Sequence, residues 1–278
     1  MWTPETRAQH DRRGLRYSHD LTDQEWALVA PLIPPAKRGG NKRTVDAREI
    51  VNGLMYILGT GCQWRAIPKD LAARSTVYDY FDRWHWDGTL RRIHYALYVK
   101  CREEASREAS PTAAIIDAQS IKSAEKGGAR IDPNGYDAGK KVKGKKRHVL
   151  VDTEGMLLHA IVTAADIQDR DGGAWLLGTL FGLYPFLLKL YADGGYQGPE
   201  FRASVKAVLS QVDVEIVKRS DQAKGFVVLP KRWVVERTLA WLNRCRRLSK
   251  DWENLNRKAQ AFLLMASIRF MVRRLCRA

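Results

Sequence analysis

The sequence AAIIDAQ, residues 113–119, begins the part of the chain in which strand-length apolar runs alternate with helical patterns. Similar runs rich in branched residues follow at 147–155, 157–166, 188–196 and 214–220. Residues with helical spacing lie at 172–183, 199–209, 232–248 and 258–275. The sequence Thr153-Glu154-Gly155 predicts a hairpin turn between two of the runs. This alternation predicts an α/β fold, a mixed sheet flanked by helices, over residues 111–278.

The residues before Ser110 have a different character, since apolar positions at helical spacing alternate there with turns. Thr22, with Glu25 three residues later, predicts a capped helix that ends before Pro34. Several short helices are typical of a helix-turn-helix DNA reader, and a helical bundle that only packs on the rest of the chain is the alternative. We therefore predict a small all-helical DNA-binding domain over residues 1–110.

The chain carries 47 Lys and Arg residues against 31 Asp and Glu residues, a formal net charge of +16. This charge implies a polyanionic partner, and nucleic acid and an acidic membrane surface both fit it. No apolar run approaches the ~18 residues of a membrane span, and the first residues lack the apolar core of a secretory signal. A cytoplasmic protein with no membrane partner is expected. Four separated cysteines and six scattered histidines disfavour a zinc site and a disulfide framework.

Two aspartates stand where buried strands are expected to end. Asp117 closes the apolar run that opens at Ala113, and Asp193 precedes Gly194 and Gly195, which let the backbone turn and a ligand approach. If the two strands are neighbours, both carboxylates face one cleft. A single aspartate at a strand end is usually a turn former, and that reading stays open for each of them.

A third acid, Glu236, lies in a helical pattern that is otherwise rich in Lys and Arg. At helical spacing it shares one face with polar and basic residues, namely Arg232, Asn243, Arg247 and Lys250. An apolar stripe lies beside that face, formed by Val235, Leu239 and Leu242. The helix is therefore predicted to direct a carboxylate and several cations, the predicted DNA contacts, at one partner. A surface ion pair between Arg232 and Glu236, worth only ~0.5 kcal/mol, is the alternative.

Three carboxylates that converge on a cleft are what a pair of Mg²⁺ ions requires, because Mg²⁺ prefers hard oxygen ligands. In such a site the ions lie ~4 Å apart, one activating the attacking oxygen and the other stabilising the leaving oxygen of a phosphoryl transfer. This chemistry needs no side-chain nucleophile. Asp117, Asp193 and Glu236 are therefore the predicted metal ligands and catalytic residues, with two ions per site.

The segment from Gly139 to His148 is densely basic and is predicted to contact DNA phosphates through six cations: Lys140, Lys141, Lys143, Lys145, Lys146 and Arg147. A solvated basic loop is the alternative. Gly135 and Gly139 before Lys140 have the wrong spacing for a nucleotide-binding loop, and neither Ser nor Thr follows the lysine. No nucleotide cofactor is expected.

Three further features receive structural interpretations. The acids of ADIQDRDGG lack the spacing of a calcium loop, so Asp169 or Asp171 is predicted to cap the helix that follows. Trp233 and Trp241 are predicted to be core or interface anchors rather than base-stacking platforms. The apolar segment after Ala261 is predicted to be a packing helix with a basic tail.

Several motifs resemble those of the DDE transposases of bacterial insertion sequences, specifically the insertion sequence 5 family. Two motifs, LTDQEWALVAPLIP and GCQWRAIP, resemble the N-terminal DNA-binding region of that family. Its catalytic core is similar to IIDAQSIKSAEKGG, YDAGKKVKGKKRHVLVDTEG, LYADGGYQG and RWVVERTLAWLNRCRRLSKDWE, so the resemblance covers nearly the whole chain. By position, Asp117, Asp193 and Glu236 match the first, second and third acids of the family.

The resemblance implies a ribonuclease-H-like catalytic domain over residues 111–278 that depends on Mg²⁺, with Mn²⁺ as a substitute. It implies that double-stranded DNA is the partner, both the terminal inverted repeats and a target. Because two ends must be joined, a homodimer assembled on DNA is expected, in bacterial cytoplasm and associated with the nucleoid. Only 43 positions separate the second acid from the third, so the core is expected to be uninterrupted.

Two positions depart from the wider superfamily pattern around the third acid, because Leu229 and Asn243 stand where a Tyr and a Lys are usual. Arg232 fits the pattern, and Arg247 or Lys250 is expected to replace the missing Lys in contacting the DNA end. Two rival functions remain open: a DNA-binding regulator that keeps the fold without catalysis, and a metal-dependent nuclease that cleaves without strand transfer. The three intact acids count against the regulator.

Overall fold

The computed structural model describes residues 3, 7, 11–36, 43–127, 130–180, 182–217 and 232–277, the side chain of residue 232 excepted. These residues form two compact units. The first comprises the described residues of Met1–Arg107, Cys245–Arg247 and Met265–Ala278, and the second those of Glu108–Arg244 and Leu248–Leu264. None of the described helices combines the length and apolar character that crossing a membrane requires.

Helices build the first unit, beginning with α1 Asp23–Val29, α2 Ala47–Thr60, α3 Arg74–Trp86 and α4 Thr89–Glu104. The capping box predicted at Thr22 is present, because Thr22 Oγ1 accepts from Glu25 N at 3.1 Å and Glu25 Oε2 accepts from Thr22 N at 3.0 Å. The periodic apolar residues of α2 are fully buried in the core of this unit: Ile50, Leu54, Ile57 and Leu58. The predicted helical N-terminal region is confirmed.

A mixed sheet forms the centre of the second unit. The strands within its described residues are β1 Ala113–Lys122, β2 Gly135–Asp137, β3 Val142–Asp152, β4 Leu157–Ala164, β5 Lys189–Ala192 and β6 Asp213–Ile216. Their order is β2-β3-β1-β5-β6, with β4 also paired to β3. β5 pairs parallel with β1 and β6, whereas β3 pairs antiparallel with β1, β2 and β4. The predicted mixed sheet and its hairpin are confirmed.

Helices flank this sheet: α5 Asp169–Gly178, α6 Pro199–Val208 and α7 Arg232–Asn243. α5 packs closely on one face, because a Cβ added at Gly173 would lie 3.2 Å from Ile116 Cδ1. α7 lies on the opposite face of β1, where Asn243 Nδ2 donates to Gln119 Oε1 at 3.3 Å. The two contacts are on opposite faces because residues 116 and 119 of one strand point to opposite sides.

The last helix, α8 Asn256–Leu275, carries mostly buried residues and confirms the predicted packing helix. Its first part belongs to the second unit, where Gln260 Nε2 donates to Ala160 O at 2.7 Å. Its last part belongs to the first unit, where Ser267 Oγ lies 3.0 Å from His94 Nε2.

Candidate active site

Asp117 and Asp193 are carried by neighbouring parallel strands. β1 and β5 are paired with Ile115 opposite Tyr191, and the same register continued by two residues places Asp117 opposite Asp193. Asp193 follows the last residue of β5 and caps a short 3₁₀ turn, with its Oδ1 accepting from Gly195 N at 2.8 Å. Asp117 Oδ1 accepts from Ala118 N at 2.7 Å. Both carboxylates are half-buried, but only Asp193 stands at the end of its strand. The prediction that a strand ends at Asp117 is wrong, because β1 continues to Lys122 in its pairing with β3.

A buried phenol, Tyr196, follows Asp193 by three residues in the 3₁₀ turn after β5. Its ring fits against α5 because Gly173 has no side chain, and a Cβ there would lie 2.6 Å from Tyr196 Cε1. The pKa of Tyr196 is raised well above its ordinary value of 10, mainly by burial and further by the charges of Asp117, Asp169 and Asp193. The charges of three carboxylates therefore act on this phenol.

Asp169 is the member of this group that sequence reasoning missed. It was predicted as one of two possible helix caps, and that prediction is wrong: the residue before α5 is Gln168, and no side chain caps the helix. Instead, the Asp169 carboxylate lies 2.8 Å from Lys146 Nζ. A Cβ added at Gly195 would lie 3.0 Å from Asp193 Oδ1 and 3.7 Å from Asp169 Oδ2, so the two carboxylates border one spot. The sequence offered no signal for this proximity, because the contact joins distant segments.

Glu236 lies on the solvent-exposed stripe of α7. The helix is fastened to the sheet by other residues: Asn243 bonds to Gln119, and Thr238 Oγ1 donates to Gly155 O at 2.7 Å. Gln119 follows Asp117 by two strand positions and therefore points to the same face. Asn243 follows Glu236 by seven positions, about two helical turns. The helix that carries the third acid thus lies along the sheet face to which Asp117 points.

The carboxylates do not form a closed ligand set in the structure. Among the described residues, which include all three predicted ligands, no three His, Cys, Asp or Glu side chains stand together as a metal ion would require. Asp169 and Asp193 border one spot at Gly195, whereas Asp117 points to the sheet face on which α7, the helix of Glu236, lies. The donor chemistry nevertheless fits Mg²⁺ or Mn²⁺, since carboxylate oxygens are the ligands these ions prefer.

Three of the six predicted basic contacts are buried rather than presented to DNA. Lys145, Lys146 and Arg147 are 1%, 5% and 2% exposed, because they lie on β3, which is covered on both faces. Lys145 Nζ donates to Asp132 O and Pro133 O, and Lys146 Nζ donates to Ile167 O. Burial lowers the pKa of Arg147 to about 10. The prediction that these three residues contact phosphates is therefore corrected. Their side chains instead donate hydrogen bonds to acceptors within the second unit.

The remaining cations of that segment, Lys140, Lys141 and Lys143, are exposed. Lys140 Nζ donates to Ala118 O at 3.1 Å, next to Asp117. For these three residues, contact with DNA phosphate stays a prediction.

The basic face predicted on the helix of Glu236 is shorter than expected. α7 ends at Asn243, and a separate 3₁₀ turn spans Arg246–Leu248, so Arg247 and Lys250 do not continue the helical face. Arg247 is buried in the first unit and donates to Cys62 O at 2.9 Å. Lys250 Nζ lies over the ring of Trp252, 5.4 Å from its centroid. Cys245 and Leu248 are buried just beyond the end of the helix.

Asn243 itself is engaged inside the unit, because Arg147 Nη1 donates to its Oδ1 at 3.2 Å. Leu229 and the side chain of Arg232 lie outside the described residues. Trp233 and Trp241 enclose Arg237, whose guanidinium carbon lies 4.5 Å and 4.6 Å from the two ring centroids. Trp233 remains exposed, so its predicted role as an anchor stays a prediction.

The sequence matches two families of known proteins. Residues 108–271 match the family model described as "Transposase DDE domain". The chain belongs to the DDE transposase family. Residues 21–94 of this transposase match a second family model, described as "Putative transposase of IS4/5 family". The predicted family membership is confirmed, and with it the ribonuclease-H-like character of the mixed sheet. The transposase is a metal-dependent enzyme that cleaves and transfers DNA strands.

Two curated proteins of Burkholderia cepacia are similar to this transposase. The "Insertion element IS402 uncharacterized 16.2 kDa protein" is 29% identical over 108 residues, 37% of this chain and 72% of that protein. The "Putative transposase for insertion sequence element IS402" is 32% identical over 134 residues, 46% of this chain and 61% of that protein.

Proposed function

We propose that this transposase binds the terminal inverted repeats of an insertion sequence, cleaves the DNA there and joins the freed ends to a target. Asp117, Asp193 and Glu236 are the catalytic carboxylates in this proposal. The observation that supports it is the parallel pairing of β1 with β5, because the same register continued by two residues sets Asp117, within β1, opposite Asp193, just after β5. Parallel strands present their carboxyl ends at one edge, where ligands of α/β sheets bind.

The three carboxylates would hold two Mg²⁺ ions, with Mn²⁺ as a substitute, and these ions supply activation of the attacking oxygen and stabilisation of the leaving oxygen. The backbone beside Asp193 leaves room for DNA, because a Cβ added at Gly194 would meet nothing within 4 Å. Glu236 stands on the exposed stripe of α7, the helix that lies on the sheet face to which Asp117 points, and this placement supports its role as the third ligand.

The proposed reaction has two balanced steps. First, a water oxygen bonds to the phosphorus at the element end, the bond from phosphorus to the 3′ oxygen breaks, and a 3′-hydroxyl is released. This hydroxyl then attacks a phosphodiester of the target, forming one phosphorus–oxygen bond as another breaks. Neither step needs a nucleotide cofactor or a covalent enzyme intermediate.

End recognition is assigned to the helical region of residues 1–110. A surface depression of the first unit is lined by three cations, Arg65, Lys69 and Arg74, with apolar residues between them. Such a surface suits the DNA backbone, and the net charge of +16 adds long-range attraction. Because two ends are joined, the active species is a homodimer assembled on DNA, at the nucleoid in the bacterial cytoplasm.

The test uses purified protein with a labelled duplex of the inverted repeat that flanks its coding region, with and without Mg²⁺. Asp193→Asn should lower the cleavage rate by roughly 100-fold or more and leave end binding intact, because only a metal ligand is lost. Asp213→Asn is the matched control, since Asp213 lies on the next strand and bonds to Lys189. Equal loss of cleavage and binding in the Asp193 variant would contradict the catalytic assignment. Cleavage without joined product would favour a nuclease instead.

A further inference from the structure

The exposed residues of α7 form a single stripe along the helix. Among the residues of α7 whose side chains the structure describes, those that are exposed are Trp233, Glu236 and Ala240. Their spacing of three and four positions keeps them on one side of the helix. Arg244, also exposed, follows four positions later, in the turn where its backbone N donates to Trp241 O at 3.2 Å. These four residues make up the exposed stripe.

Arg244 is the cation of this stripe, and its charge is not used within the protein. Among the described residues, no carboxylate pairs with the Arg244 guanidinium and no acceptor receives a hydrogen bond from it. The polar and basic residues that helical spacing placed beside Glu236 differ in this respect, because Asn243 and Arg247 bond to other protein groups and Lys250 lies over a ring. Arg244 therefore remains available to an anionic ligand.

Trp233 is the aromatic member of the stripe, and an arginine supports its ring from behind. The Arg237 guanidinium carbon lies over this ring, 4.5 Å from its centroid, and Arg237 Nη2 donates to Glu154 O at 2.9 Å. Because the guanidinium covers one face of the indole, the 44% exposure of Trp233 comes from its edges and its other face. An indole that is held on one face and open on the other is suited to stack on a nucleobase.

These two side chains lie on either side of Glu236, which the proposed function makes a metal ligand. Along the helix axis, Trp233 is about 5 Å and Arg244 about 12 Å from Glu236. Ala240, between Glu236 and Arg244, has a short side chain that lets a polymer approach the helix closely. A nucleic acid fits such a stripe, because every nucleotide offers both an anion and an aromatic face.

We propose that the exposed stripe of α7 lies against the DNA beside the cleaved bond, with a nucleobase stacked on Trp233 and a backbone phosphate bound by Arg244. The inference rests on the proposed function, in which Glu236 binds a metal ion at the cleaved phosphate. Successive phosphates of a duplex strand are ~3.4 Å apart along its axis, so the phosphate at Arg244 is a neighbour of the cleaved one. Trp233 thereby receives a nucleobase as its partner, where its spacing predicted a core or interface anchor.

The test for Arg244 pairs a change in the protein with a change in the DNA. Binding of the inverted-repeat duplex is measured by fluorescence anisotropy in EDTA, so that no metal ion contributes. Arg244→Gln should weaken binding roughly tenfold and lower the salt slope by ~0.9. When uncharged methylphosphonates replace the phosphates near the cleaved bond one at a time, one position should abolish the difference between Arg244→Gln and the unchanged protein. Arg202→Gln is the matched control, because Arg202 is an exposed arginine of the same unit on α6.

The test for Trp233 uses duplexes that each lack one base near the cleaved bond. Trp233→Ala should weaken binding of the complete duplex roughly tenfold, and one missing base should abolish its difference from the unchanged protein. Trp252→Ala is the matched control and should bind as the unchanged protein does. Trp252 is 42% exposed and also lies against a cation, with Lys250 Nζ 5.4 Å from its ring centroid.

Urea unfolding shows whether each variant keeps the fold, and Arg244→Lys or Trp233→Phe replaces a variant that unfolds at a lower midpoint. These two conservative variants should retain part of the binding that Gln and Ala lose. Losses that are equal on every modified duplex, or no loss at all, would overturn the inference, and the stripe would then face a protein instead. Failure of the proposed function would look different, since the unchanged protein would then not cleave the natural duplex in Mg²⁺.

Discussion

The pH dependence of stability tests the turn that carries Lys140. Burial alone would raise the pKa of Asp137, but hydrogen bonds from Ser120 Oγ and Lys140 N, with the charge of Lys146 3.4 Å away, lower it from 3.8 to about 2. A carboxyl group whose folded-state pKa is depressed stabilises the protein above its unfolded-state pKa. That stabilisation is lost as the pH falls through the folded-state value.

The difference between 3.8 and about 2 corresponds to ~2.4 kcal/mol of unfolding free energy at pH 7 and ~1.3 kcal/mol at pH 3. Asp137→Asn removes the titrating group. The stability advantage of the unchanged protein over this variant should therefore shrink by ~1 kcal/mol between pH 7 and pH 3. Urea unfolding followed by tryptophan fluorescence at both pH values measures it. Ser120→Ala removes one donor but keeps the carboxylate, so it should lose a smaller share of this pH-dependent stabilisation than Asp137→Asn does. A stability difference between the unchanged protein and Asp137→Asn that stays constant with pH would refute the reasoning.

Two further predictions concern packing and charge. Gly172→Ala should cost ~2 kcal/mol of unfolding free energy, because the new Cβ would lie 2.1 Å from Cε1 of the buried His148 ring. Gly178→Ala in the same helix meets nothing within 4 Å and should be neutral or stabilising in the same urea titration; equal losses would contradict this account. Lys143→Gln should lower the slope of log Kd against log salt by ~0.9, measured by fluorescence anisotropy. Lys145→Gln should instead lower the unfolding free energy, and a changed salt slope with unchanged stability would show that Lys145 reaches DNA.

The strands and the capped first helix could be predicted because their signals are local. The run that ends at Asp117 and the pair of Thr22 with Glu25 depend only on neighbouring residues. The approach of Asp117 to Asp193 needed one added assumption, that their strands are neighbours, and the parallel pairing bears it out. The catalytic role of these acids, like that of Glu236, stays a prediction.

Other features depended on partners that the sequence does not reveal. In the sequence, a run of six cations looks the same whether it lies in a loop or on a covered strand. Only the structure shows that Lys145 Nζ donates to the carbonyls of Asp132 and Pro133. Periodicity likewise predicted that the helix of Glu236 continues past Asn243, whereas the structure ends it there and begins a 3₁₀ turn at Arg246. The position of Asp169 beside Asp193 could not be predicted, because its neighbours, Lys146 and the turn after β5, are distant in sequence.

The amide of Asn243 limits which side chains can stand at position 243. Its oxygen receives a hydrogen bond from Arg147, a guanidinium sealed from water, and a lysine there would offer no lone pair and would set two cations side by side. The superfamily lysine and a buried arginine at 147 therefore exclude each other. A chain that gained a lysine at 243 is therefore expected to replace Arg147 as well, so the two positions should change together.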